Sequence, residues 1–135
     1  MNVMLLPLRH SRGWLVIGWL LVIIATILSL MPGSSLPRVP LGADKVEHAV
    51  CYAGLTLWFT GIYPRSRYVT IAIGLLAMGI AIEWAQGAMH LGRSRDVRDV
   101  IANSAGIGAG IVLALVWLGG WAQRLEEWMR ERARS

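Results

Sequence analysis

Four apolar segments divide this chain, and they leave little room for a soluble fold. Trp14–Met31 runs for 18 residues without a charge, His48–Tyr63 for 16, Tyr68–Ile82 for 15 and Val100–Ala122 for 23. Crossing a bilayer takes ~20 predominantly apolar residues at a rise of ~1.5 Å each. The second segment reaches that length if it begins near Asp44, and the third only if it carries Glu83 into the membrane. The 135 residues are 56% hydrophobic with a mean hydropathy of +0.54, above the ~45–50% apolar content of ordinary soluble domains. The expectation is therefore an all-α, polytopic membrane protein. One domain over residues 1–135 would form a compact bundle of four transmembrane helices, at about 14–31, 44–63, 68–89 and 97–122, with a cytoplasmic, amphipathic C-terminal extension.

Arg9 and Arg12 ahead of the first apolar run give it the look of a signal peptide. The stretch that follows, Leu30-Met31-Pro32-Gly33-Ser34, is a poor small-x-small cleavage site, and three more spans come after it. The helix is expected to stay. Cys51 is the single cysteine, so an intrachain disulfide is excluded. A net charge of +5 would suggest nucleic acid in a soluble protein, but here the arginines flank apolar segments and suit headgroups, so no nucleic-acid partner is expected. Eight basic residues lie on one side: Arg9, Arg12, Arg65, Arg67, Arg124, Arg130, Arg132 and Arg134. Five lie on the other: Arg38, Lys45, Arg93, Arg95 and Arg98. The positive-inside bias puts both termini in the cytoplasm and the first and third connections outside. Pro64-Arg65-Ser66-Arg67 reads as a tight turn between antiparallel helices. From Trp121 onward a helical pattern persists, with Leu125, Trp128 and Met129 on one side, and it is expected to continue the fourth helix along the inner headgroup layer.

Polar residues gather at the first and third connections, which an antiparallel bundle brings to one end. Asp44, Lys45, His48 and Tyr52 fall within an arc of roughly 100° at ~100° per residue. Asp44 with Glu47 has capping-box spacing at the start of the second helix. Glu83 is the sharpest signal, because a carboxylate at mid-span costs ~2.5–3.5 kcal/mol on insertion scales and normally faces the bundle with a partner. Gln86 and His90 share its face. A structural ion pair or hydrogen bond to Arg93, Lys45 or His48 is the plain explanation for Glu83, and a ligand role is the sharper one. Asp96 and Asp99 stand where acids cap a helix and complement its dipole. Asn103 lies a turn deeper, above Gly106-x-x-x-Gly110, which permits close helix approach and points this stripe at other helices, with homo-oligomer formation through the same glycines as a further use.

Three blocks carry a resemblance. They are Asp44-Lys45-x-x-His48-x-x-x-Tyr52-x-x-Leu55, Glu83-x-x-Gln86, and Gly92-Arg93-x-x-Asp96-x-x-Asp99-x-x-x-Asn103-x-x-Gly106. Together they resemble the VanZ-like family of bacterial membrane proteins, over roughly Asp44 to Gly110. The resemblance implies a multi-pass protein of the bacterial cytoplasmic membrane with a cell-envelope role, in a family whose name member is linked to low-level teicoplanin resistance. Arg95 and Arg98 make the third connection more basic than the family pattern requires, so resistance is not inferred for this chain.

Three functions suit this inventory. In the first, the outer membrane face binds or modifies an anionic lipid-linked or glycopeptide-type molecule, a membrane lipid or cell-wall precursor. Asp44, Lys45, Tyr52, Gln86, Arg93, Asp96 and Asn103 are its candidate ligand contacts, with Arg95, Arg98 and Trp84 beside them. In the second, His48 and Glu83 act as base and acid on a lipid-linked phosphate, with Asp99 orienting the imidazole. In the third, the polar groups only cement a scaffold. A metal site from His48, Glu83, Asp96 and Asp99 lacks a recognised ligand spacing, so no metal and no cofactor is expected. Transport is weaker still, for four helices without inverted repeats are few.

Overall fold

A computed structural model describes residues 5–35, 40, 42–90 and 95–134. Among these the fold is all helical: α1 is Ser11–Leu30, α2 Ala43–Ile62, α3 Tyr68–Met89, α4 Val97–Leu113 and α5 Trp121–Arg132. Short 3₁₀ turns at Gly33–Ser35 and Arg65–Arg67 and a π-helical stretch at Ala114–Leu118 punctuate them. α1, α2 and α3 lie within a few residues of the bounds read from hydropathy; α4 begins at Val97 as expected but ends at Leu113, well short of residue 122.

α2 is the inner helix. It packs most extensively on α4 and also touches α1, α3 and α5, and it buries Tyr52, Leu55, Thr56, Phe59, Thr60, Gly61 and Ile62. α1 is the opposite case: only Gly18 is buried, while Val16, Trp19, Leu20, Ile23, Ile24, Ile27 and Leu28 face outward. An apolar helix exposed over most of its surface suits lipid and not water.

Among the described residues three stretches, not four, are long and apolar enough by composition to cross a membrane: Ser11–Leu30, Arg65–Met89 and Val97–Arg132. α2 falls short because Asp44, Lys45, Glu47 and His48 crowd its first turns and Thr56 and Thr60 its second half. Both threonine hydroxyls are satisfied within the helix, donating to the Tyr52 carbonyl at 2.7 Å and the Thr56 carbonyl at 2.8 Å. Such polarity is tolerated in a helix packed against α1, α3, α4 and α5.

Packing between helices that face lipid draws little on the hydrophobic effect, so backbones must come close for dispersion to act. The α2–α4 seam does this with Gly106 and Gly110. A Cβ on Gly106 would lie 2.1 Å from the Ala49 carbonyl oxygen, and one on Gly110 would lie 2.7 Å from Thr56 Cβ. The glycine stripe on α4 is thus occupied by α2 of the same chain. Tyr52, Leu55, Leu75 and Ile107 form the core beside this seam.

The second core lies at the other end, where Phe59, Ile62 and Ala122 are buried under Trp14, Trp58 and Trp121. The three indoles meet at centroid distances of 5.2–5.7 Å. Each indole N–H is satisfied: Trp58 donates to the Trp14 carbonyl at 3.2 Å, Trp121 to the Leu57 carbonyl at 2.9 Å, and Trp14 to Glu126 Oε1 at 2.8 Å. α5 does not continue α4, contrary to the hydropathy reading. The π stretch and Gly119-Gly120 intervene, with Gly120 at φ 69°, and the chain turns so that Trp121 packs where Gly61 has no side chain. Arginines close this joint: Arg124 donates to the carbonyls of Gly119 and Trp117, both at 3.0 Å, and Arg65 to that of Leu115 at 3.1 Å.

Candidate functional site

Antiparallel packing sets the first turns of α2 and α4 beside the last turns of α3. The capping box expected at Asp44 does not form. Gly42, at φ 88°, is the N-cap of α2 and no side chain caps it. Asp44 instead reaches Lys45 Nζ at 3.1 Å.

Lys45 is the centre of the cluster. Its ammonium donates to Asp96 Oδ2 at 2.8 Å and to Asp99 Oδ1. Three carboxylates around one ammonium leave an excess of negative charge, so Lys45 is engaged and does not offer itself to an anion, as the sequence had suggested.

Asp96 serves through three different atoms. Its Oδ1 accepts from the Arg98 amide at 2.8 Å as the N-cap of α4, which the sequence pattern predicts. Its Oδ2 accepts from the Lys45 ammonium, and its own N–H donates to Glu83 Oε2 at 3.0 Å. The Lys45 ammonium, helped by the Arg98 amide, holds the Asp96 carboxyl below the usual carboxylate range.

One turn deeper, His48 Nδ1 stands 2.9 Å from Asn103 Oδ1, and its Nε2 lies 3.7 Å from Asp99 Oδ2. With the amide oriented this way Nδ1 carries the proton, leaving Nε2 toward the aspartate. Asp99 and Asn103 are buried, as expected of a stripe facing the other helices. Gly79 on α3 makes the space, since a Cβ there would lie 2.9 Å from Asn103 Nδ2 and 3.1 Å from the Tyr52 hydroxyl.

Glu83 is only 4% exposed. Its Oε1 has no hydrogen-bond partner among the described residues, and no other buried side-chain nitrogen or oxygen among them shares that state. A buried polar atom left unpaired costs ~1–3 kcal/mol, and more when charged. The partner of Glu83 is thus a backbone amide, where the sequence had offered His48, Lys45 or Arg93. Arg93 lies outside the described residues.

Two further candidates are built into the scaffold. Tyr52 is buried in the core beside the seam. Gln86 donates to the Ser29 carbonyl at 2.7 Å, tying α3 to the end of α1. At the rim, Arg95 lies with its guanidinium 4.5 Å from the exposed Trp84 ring, a cation–π contact, and its methylenes run over Gly87. Among the described residues no three His, Cys, Asp or Glu side chains are arranged to hold a metal ion.

The VanZ/LLP1 family profile matches residues 3–118. The chain belongs to the VanZ/LLP1 family. The match takes in α1 to α4 and the whole polar cluster of this VanZ/LLP1 protein, and stops before α5. Comparison with curated proteins and with solved structures finds no match.

Sequence reasoning missed the Gly79 recess and the second polar centre at the opposite end. There Glu126 accepts from the amides of Arg9 at 2.6 Å and His10 at 3.0 Å as well as from Trp14. No pattern signals it, because two of the three donors are backbone groups 116 and 117 positions away.

Proposed function

We propose that this VanZ/LLP1 protein is a multi-pass protein of the bacterial cytoplasmic membrane that binds the polar head of a lipid-linked or glycopeptide-type envelope molecule at its extracytoplasmic face. α2 crosses with the other helices, shielded by them, and both termini are cytoplasmic. The observation that carries the reading is Glu83: a buried carboxylate with one oxygen held by Asp96 and the other without a partner among the described residues. A buried acceptor without a partner among the described residues is suited to a ligand hydroxyl or amine. Arg95 and Arg98, exposed at the rim, take the anionic group that Lys45 does not, and Trp84 lies beside them to meet an apolar part.

A second reading makes the site catalytic. The half-buried His48, with Asn103 on Nδ1 and Asp99 near Nε2, is oriented as an acid–base group would be. Turnover of an isoprenoid phosphate by the purified protein, abolished in His48→Ala, would favour the enzyme over the binder.

Mass spectrometry of lipid co-purified with wild type and Glu83→Gln tests the proposal. Glu83→Gln keeps an acceptor for the Asp96 amide, so melting in detergent should stay within a few degrees while the bound molecule falls at least tenfold. Equal retention by both proteins sinks the binding reading. Loss of folding in Glu83→Gln, His48→Ala and Arg95→Ala alike would leave only a scaffold.

A further inference from the structure

An apolar groove of about 440 Å³ runs between α1, α2 and α3 at the end of the bundle opposite the polar cluster. Trp19 of α1, Phe59 of α2 and Ile71, Leu75 and Met78 of α3 form its walls. Trp19 and Phe59 meet edge-on at 6.1 Å. Gly74 leaves the space, for a Cβ there would find no atom within 4 Å. Tyr63 and Arg67 line it as well, and both belong to the turn between α2 and α3. Polarity is thus confined to one end.

The dimensions are those of a single leaflet. From Arg67 to Met78 is eleven helical steps, roughly 16 Å at 1.5 Å per residue, and half of a ~30 Å hydrocarbon core is about 15 Å. The groove opens between two helices apolar enough to span a bilayer, which places Arg67 at headgroup depth. Among the described residues no carboxylate pairs with the Arg67 guanidinium. Its charge is free to meet an anion: a phosphodiester accepts two parallel guanidinium hydrogen bonds, and its attraction for the arginine is strongest where no quaternary ammonium in the same headgroup offsets the negative charge.

We infer that this groove is a binding site for one acyl chain of a phosphate-bearing, net anionic membrane phospholipid, with Arg67 on the phosphate and the Tyr63 hydroxyl beside it. The site is separate from the cluster around Lys45 and Glu83 and stands or falls independently of it.

Native mass spectrometry of the detergent-purified full chain, titrated with phosphatidylglycerol or with phosphatidylcholine, tests the assignment. Wild type should retain phosphatidylglycerol at least fivefold better. Arg67→Ala should abolish that preference. Gly74→Leu, which fills the groove and leaves every charge in place, should reduce binding of both lipids. Arg12→Ala, at the same end but outside the groove, should behave as wild type. Equal retention of the two lipids by wild type, unchanged binding in Gly74→Leu, or a loss in Arg12→Ala as large as in Arg67→Ala overturns it. Melting temperatures report folding, and if Arg67→Ala does not fold, Tyr63→Phe with Gly74→Leu decides the question.

Discussion

At the scale of single residues, the polar cluster works by sharing. Asp96 caps α4, neutralises part of Lys45 and presents its amide to Glu83, so one residue ties three helices together. Its depressed acidity has a consequence for stability. A proton binds the unfolded carboxyl, near its ordinary value of ~3.9, before it binds the folded one. The stabilisation is therefore present above that value and is lost as pH falls through the lower folded value. Wild type should lose thermal stability between about pH 5 and pH 3, and Asp96→Asn should flatten that limb; parallel curves for the two proteins would show that the Lys45 contact contributes nothing. The inward placement of Asp99 and Asn103 was legible, since helical periodicity sets them on one stripe with Gly106 and Gly110. The contacts of Tyr52 and Gln86 were not. Both share a face with functional candidates, but what decides their fate is a neighbouring helix, Gly79 recessing for one and the Ser29 carbonyl accepting from the other.

At the scale of elements, the α2–α4 seam and the α5 latch carry the fold. Gly106→Ala puts a methyl group against the Ala49 carbonyl and should cost about 1–3 kcal/mol of stability by overpacking. Gly108→Ala, two positions away with nothing within 4 Å, should be neutral or gain up to ~1 kcal/mol from helix propensity. Denaturation in detergent distinguishes them, and equal effects would mean the seam can part freely. At the other end, Glu126→Ala removes the acceptor for two amides and one indole and should destabilise by about 2 kcal/mol. Hydrogen exchange should rise at Arg9 and His10 and Trp14 fluorescence should change; protection equal to wild type would show that α5 does not hold the N-terminal segment. The bounds of α1, α2 and α3 followed from apolar runs broken by Pro and Gly. The turn into α5 did not, because Trp121 docks where Gly61 is bare, a complementarity between positions sixty residues apart.

At the scale of the whole molecule, the two ends differ in chemistry. One gathers carboxylates around a lysine and a histidine; the other carries Arg9, Arg12, Arg65, Arg67, Arg124 and Arg130 around a tryptophan cluster. Reporter fusions should find both termini in the cytoplasm, and an extracytoplasmic C-terminus would reverse the proposed address of the Glu83 site. Composition and apolar run length alone determined that this chain is helical, suited to a membrane and polar at one end, because those properties need only counting along the chain and the alternation of antiparallel helices. Tertiary structure decided that the most polar of the four long helices is the innermost, that Lys45 is engaged by aspartates and that Glu83 keeps one oxygen without a partner among the described residues. Those outcomes depend on which side chains α3 and α4 bring against α2, and contacts between distant segments leave no periodic trace in the sequence.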